Sequence, residues 1–179
     1  MTDQPLGVSE IRAYLLEVAE ALPLTSPQHE LVMVGGSLLA WHGMRFSTRD
    51  VDTVTRMDDE MKAAVHVVAA AHGLTPEWLN DHASLFLPQT LNVGDCEVLM
   101  SHPRLVVLGA PLGQVFLMKV HAALSRSRDL DDLEELWPSS GFTPESAVAA
   151  YWEAYPGALD DPHLITWIRD IAARATSEG

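Results

Sequence analysis

The sequence predicts an α+β fold, because strand-like segments alternate with helical ones until about residue 108 and only helical patterns follow. Composition agrees: 47% hydrophobic and 20% charged residues suit a packed globular chain rather than a disordered one. At 179 residues the chain can bury a core without a staple, and the single Cys96 excludes an internal disulfide and a cysteine-rich metal site.

In chain order, Ser9 is placed to cap a helix carrying Ile11, Leu15, Val18, Ala19 and Leu22, which ends at Pro23. Leu31-Val32-Met33-Val34 reads as a buried strand stopping at Gly35-Gly36. A short helix over 37–42, closed by Gly43, and a second strand over 51–55 come next. Asp58 starts a helix with Met61, Ala64, Val65, Val68 and Ala69 on one side and Gly73 as its stop. Three β-like segments are expected at 84–87, 96–100 and 105–108, with Gly94-Asp95 as a turn. Helical patterns then cover 112–124, 130–136, a segment after Thr143-Pro144 and one after Asp161-Pro162. In the last, Leu164, Ile168, Ile171 and Ala175 form a core stripe.

The formal net charge is −14, so the chain repels phosphate at long range and is a poor non-specific binder of nucleic acid. Any polyanionic ligand therefore needs local cations or a bound metal. The opening MTDQPLGVSE has no basic start and no apolar run, so no signal peptide is expected. No apolar stretch reaches the roughly 20 residues of a membrane span, and a cytoplasmic location without membrane contact is the expectation. The eight histidines include no His-x-x-x-His, and there is no Gly-x-Ser-x-Gly elbow or G-x-G-x-x-G fingerprint.

Two segments carry the chemistry. Gly35-Gly36-Ser37 joins a strand to a helix, where missing side chains let a ligand approach the backbone and helix-start N–H groups favour phosphate. Asp50-Val51-Asp52 places two carboxylates at i and i+2 of a strand, on one face, a pair that becomes favourable around a divalent cation. Judged singly, each segment is more simply an ordinary turn or a solvated strand end.

Together, G-G-S, twelve residues and D-x-D resemble the polymerase-β-like nucleotidyltransferase superfamily. VGGSLLAWHGMRFSTRDVDTV and FLMKVHAALSRSRDLDDLEEL resemble the two signatures of small bacterial members related to AbiEii-type toxin–antitoxin toxins. The likeness spans residues 31 to 137. It implies a minimal nucleotidyltransferase fold, a mixed sheet with flanking helices, over 1–137, and a C-terminal helical region at 138–179 packed on it. It also implies an enzyme that moves an NMP from an NTP to a hydroxyl of tRNA or protein. A toxin–antitoxin role with a cognate antitoxin or toxin protein as partner goes with it.

Residue by residue, the resemblance puts nucleotide phosphates at Gly35, Gly36 and Ser37, and Mg²⁺ (or Mn²⁺) on Asp50 and Asp52. A third carboxylate is expected from the strand after Gly94; Asp95 and Glu97 are the candidates, and Glu97 is chosen because Asp95 reads as a turn residue. Lys119, on an otherwise apolar helix, would hold the triphosphate, helped by Arg126 and Arg128, with Asp129 and Asp132 orienting those cations or capping the next helix. Arg45 and Arg49 flank the D-x-D and would touch phosphate or acceptor. The alternative is the same fold without turnover, a nucleotide-binding or protein-binding module such as an antitoxin-like partner. The choice among ATP, CTP, GTP and UTP stays open, and the five tryptophans are first of all core residues.

Overall fold

A computed structural model describes the backbone of residues 5–126 and 130–177 and the side chains of residues 5–124 and 131–177. It is α+β, and the chain divides into two compact units. One contains the residues up to Leu85 together with Cys96–Ala110; the other contains Phe86–Asp95 and the residues from Pro111 onward. Helices expected to belong to a catalytic domain ending at 137 thus group with the C-terminal helices.

The first unit is built on a five-stranded mixed sheet: β1 (His29–Val34), β2 (Val51–Thr53), β3 (Leu79–Asn80), β4 (Glu97–His102) and β5 (Leu105–Gly109), in the order β3-β2-β1-β5-β4. β1 is central, antiparallel to β2 and parallel to β5, which is why Leu31 to Val34 are all buried. β2 runs parallel to β3, and β4 antiparallel to β5. Helices α1 (Val8–Ala21), α2 (Gly35–Trp41) and α3 (Asp59–His72) accompany the sheet; α1 packs on α3, and α2 on β1 and β2.

α3 forms where local chemistry says it should. Asp58 caps it by accepting from Met61 N (2.9 Å), Asp59 and Glu60 complement the dipole, and Gly73 ends it at φ +65°. α1 differs at its start: Gly7 takes the N-cap place, without a side-chain hydrogen bond, and Ser9 lies inside the first turn. The segment expected as a strand at 84–87 is instead a 3-10 helix, His82–Phe86. Asn80 Oδ1 accepts from His82 N (3.1 Å) and Ser84 N bonds Asp81 O (3.0 Å), so local bonds curl the chain before it can find a ladder.

The second unit packs α4 (Leu112–Arg126), α5 (Leu130–Ser140), α6 (Pro144–Ala154) and α7 (Leu164–Ser177). Phe116, Leu133, Tyr151, Ile168 and Ile171 are among its buried residues. Thr143 caps α6 reciprocally with Ser146, with Pro144 at the first position. α7 starts at Leu164 rather than Pro162, because Asp161 Oδ1 first accepts from His163 N (2.9 Å) to form a turn. His121 stacks on Tyr155 at 4.0 Å and shares a 3.0 Å hydrogen bond with the Tyr151 hydroxyl. Burial holds the His121 pKa below its ordinary value and raises those of both tyrosines. Among the described residues no helix is long and apolar enough to cross a membrane.

Candidate functional site

The site is laid down by the pairing of β1 with β2. Val34, the last residue of β1, stands opposite Asp52, and Met33 opposite Thr53. Threonines fix this register: Thr53 Oγ1 donates to Val32 O (2.9 Å), and Val32 N donates to Thr55 Oγ1 (3.0 Å). The chain leaves β1 through Gly35, whose φ of +67° disfavours every L side chain. A Cβ built on Gly35 would lie 2.8 Å from Asp52 Oδ2. At Gly36 it would lie 3.0 Å from both Arg45 Nη1 and Thr48 Oγ1. The two missing side chains are thus replaced by a carboxylate at one glycine and a guanidinium and a hydroxyl at the other. Glycine turn and D-x-D converge.

Buried Thr48 locks the approach to β2. Its backbone bridges Leu6 in both directions, and its hydroxyl donates to Asp50 O (3.0 Å). Asp50 and Asp52 are both half-buried. Arg49 and Asp50 line a groove of about 560 Å³ together with Thr75, Pro76, Glu77, Asn80 and His82. Asn80 is the partner of Asp52 on β3 and is itself buried, donating to Glu77 O (3.3 Å) and accepting from His82 N. The sequence carries two cations, Arg45 and Arg49, beside the two carboxylates, so this segment is balanced in charge within a strongly acidic chain.

Other expected site residues lie elsewhere or face away. Ser37 is fully buried and its hydroxyl donates to Val34 O (3.0 Å), so only its backbone can serve a ligand. Glu97 does not join Asp50 and Asp52. It begins the edge strand β4, pairs in register with Gly109 of β5, and is exposed beside His42 Nε2 at 3.0 Å. Three interstrand steps separate it from Asp52, roughly 14 Å at about 4.8 Å each. His42 follows the C-terminal end of α2, whereas Gly35 opens the helix. Asp95 is the turn residue expected, closing a short 3-10 segment, Val93–Asp95.

Lys119 is engaged within the helical unit, its Nζ 2.5 Å from Asp132 Oδ2, with the two side chains only 18% and 12% exposed. Asp132, expected to orient arginines, thus pairs with this lysine. The Arg126 side chain, Arg128 and Asp129 lie outside the described residues. Among the described residues, no group of three or more His, Cys, Asp or Glu side chains is arranged to hold a metal ion.

Two features escaped sequence reasoning: the guanidinium of Arg45 over Gly36, and the groove wall of Asn80 and His82. The signal for the second was Asn80-Asp81 before His82, a turn composition that also supplies the Asp52 partner. Compared with protein families, curated proteins and solved structures, the chain gives no match.

Proposed function

We propose that this chain is a metal-dependent nucleotidyltransferase of the polymerase-β-like kind, moving an NMP from an NTP to a hydroxyl acceptor. The observation that carries the reading is the seating of the Asp52 carboxylate against Gly35, which brings the two motif halves to one place. The α-β-α-β-α-β order of the first unit, with β1 antiparallel to β2 and β2 parallel to β3, supports it.

Asp50 and Asp52 fit Mg²⁺ (or Mn²⁺). Both offer hard oxygen ligands, and Mg²⁺ commonly takes only one or two carboxylates, completing its shell with water and substrate phosphates. Bound there, the ion would offset phosphate charge and favour ionisation of the acceptor hydroxyl. In this reading Gly35 and Gly36 let Asp52 and Arg45 close on bare backbone, which sets metal-binding oxygens and a phosphate-binding cation side by side, and the Ser37 backbone N–H replaces its committed hydroxyl. Arg45 and Arg49 then supply the positive charge that a chain of −14 otherwise lacks. The acceptor oxygen attacks the α-phosphorus, the bond to pyrophosphate breaks and pyrophosphate leaves, and the hydroxyl proton passes to water. Lys119 and Glu97 are left out of this site because their charges are engaged elsewhere. We propose a tRNA or protein hydroxyl as acceptor, a cytoplasmic setting, and a toxin–antitoxin pairing as the biological context.

A second reading, the same fold binding a nucleotide without turnover, is favoured by one observation: Glu97 stays outside, leaving two carboxylates where a third was expected. Incubation with each labelled NTP, Mg²⁺ and cell extract, followed by RNase or protease, separates the two. Transfer of label that Asp52→Asn abolishes supports the enzyme. Mg²⁺-dependent thermal stabilisation by NTPs without pyrophosphate release supports the binding module, and label transfer undiminished in Asp52→Asn refutes the site.

A further inference from the structure

β2 separates two different environments. On its β1 side stand the glycine turn and the Arg45 guanidinium. On its β3 side lies the groove of about 560 Å³, whose lining includes Asp50 but none of Gly35, Gly36, Ser37 and Arg45. A cavity of about 250 Å³ shares Pro76, Glu77, Asn80 and His82 with that groove and continues to Lys62 and His66 of α3. Both lie within the first unit. Asp50 therefore belongs to the carboxylate pair and to the groove at once. In a displacement at phosphorus the attacking and leaving oxygens lie roughly in line. With the leaving pyrophosphate on the glycine-turn side, the acceptor hydroxyl has to approach from the opposite side, where the groove opens.

The lining bears on what kind of molecule carries that hydroxyl. Single-stranded nucleic acid is held by a positively charged groove and by aromatic rings under its bases. Among the described residues that line the two cavities, the cations Arg49 and Lys62 are outnumbered by the carboxylates Asp50, Glu77 and Asp81, and none is Phe, Trp or Tyr. The phosphates beside an RNA hydroxyl would meet the exposed Glu77 in a chain of net charge −14. A polypeptide hydroxyl brings no phosphates, and basic residues next to it complement both Glu77 and the net charge.

Resting on the nucleotidyltransferase reading above, we propose that the acceptor is a serine, threonine or tyrosine hydroxyl of a protein segment with flanking lysine or arginine, seated in the groove beside β3. Its oxygen bonds to the α-phosphorus as the bond to pyrophosphate breaks, its proton passes to water, and the products are an NMP ester of that side chain and pyrophosphate. Glu77, on the groove wall, is a specificity residue that draws the basic flank.

The test is transfer of label from α-labelled NTPs in Mg²⁺ by the full chain, as wild type, Glu77→Gln, Glu77→Lys and Asp52→Asn. The probes are two fractions of one cell extract, protein freed of nucleic acid and RNA freed of protein. Glu77 is exposed, so its variants should melt with wild type. Label is expected in the protein fraction, located by mass spectrometry on a Ser, Thr or Tyr with Lys or Arg nearby, and lost with Asp52→Asn. Glu77→Lys replaces an attraction by a repulsion of similar size and is expected to lower protein labelling by about 2- to 30-fold, Glu77→Gln by less. Label in RNA instead, which Glu77→Lys would raise, overturns the inference and leaves the nucleotidyltransferase reading standing. Protein labelling that Glu77→Lys leaves unchanged overturns it as well. Mg²⁺-dependent NTP binding with label in neither fraction also overturns the protein acceptor and favours the binding module. Wild type that binds no NTP removes the underlying reading, and the acceptor with it.

Discussion

Replacing Gly35 with alanine tests the convergence of the two motif halves without any assumption about activity. The new methyl group is penalised twice. At φ +67° an L residue costs about 1–2 kcal/mol. A Cβ 2.8 Å from Asp52 Oδ2 must also push that carboxylate aside, which adds about 1–2 kcal/mol, within the lower part of the overpacking range because the obstacle is a side-chain end. Reduced freedom of the unfolded chain returns about 0.4–1 kcal/mol. The net loss is therefore about 1–3.6 kcal/mol.

In an Asp52→Ala background the obstacle is gone, and Gly35→Ala should cost only the backbone share. Gly73→Ala supplies a measure of that share, since Gly73 has nearly the same φ (+65°) with no atom near its missing Cβ. Urea unfolding of wild type, both single variants and the double variant gives the coupling, expected at about 1–2 kcal/mol, a size typical of contacting residues. Equal costs in the two backgrounds would show that Asp52 does not sit over Gly35. The geometric basis of the proposed site would then be lost.

Three further outcomes follow from the same contacts. Glu97→Gln should leave nucleotide transfer within about twofold of wild type, since Glu97 faces His42 on the sheet edge; a loss as large as that of Asp52→Asn would return Glu97 to the site. Lys119→Met takes from the nearly buried Asp132 the ammonium that Lys119 holds against it and should cost about 1.5–3 kcal/mol, whereas Lys119→Met with Asp132→Leu should recover much of that, as read by urea midpoints. Burial keeps His121 below its ordinary pKa, so its contribution to stability is complete above about pH 6.5. As pH falls below that value the unfolded chain takes the proton first, and stability declines until the folded pKa is passed. His121→Phe should remove this part of the slope between pH 7 and 5, and an unchanged slope would refute the assignment.

What could be read from the sequence was what neighbouring residues decide. α3 follows from Asp58 at one end and Gly73 at the other, and α6 from Thr143-Pro144, because caps act within one turn. The glycine turn and the D-x-D were also legible, and their pairing through Val34 and Asp52 keeps them adjacent. Glu97 was misplaced for a different reason. Alternation along a strand gives the face of a residue but not the position of its strand in the sheet. Here β5 lies between β1 and β4, which sends Glu97 to the edge. β3 was invisible because two residues carry no period. Ser37 and Lys119 show a related limit: a hydroxyl at a helix start and a lysine on an apolar helix suit a ligand or an internal partner equally, and here each has the internal one.

The glycines at positive φ supply an internal control for the functional reading. Gly73 and Gly141 each follow the last residue of a helix, and Gly43 lies just past the end of α2; none has an atom within 4 Å of a built Cβ. Chain termination explains all three, since a left-handed residue after a helix satisfies its last carbonyls. Gly35 obeys another logic. It opens a helix, and no cap geometry asks for a left-handed residue there; the space beside it is filled by the carboxylate of Asp52. A second glycine follows, with a guanidinium and a hydroxyl in the matching space. An acid and a base are thus held against bare backbone where the central strand passes into α2. Departures from local preference concentrated at one place are what a binding site produces. In the proposed nucleotide site, Asp52 and Arg45 stand against Gly35 and Gly36 before any ligand arrives.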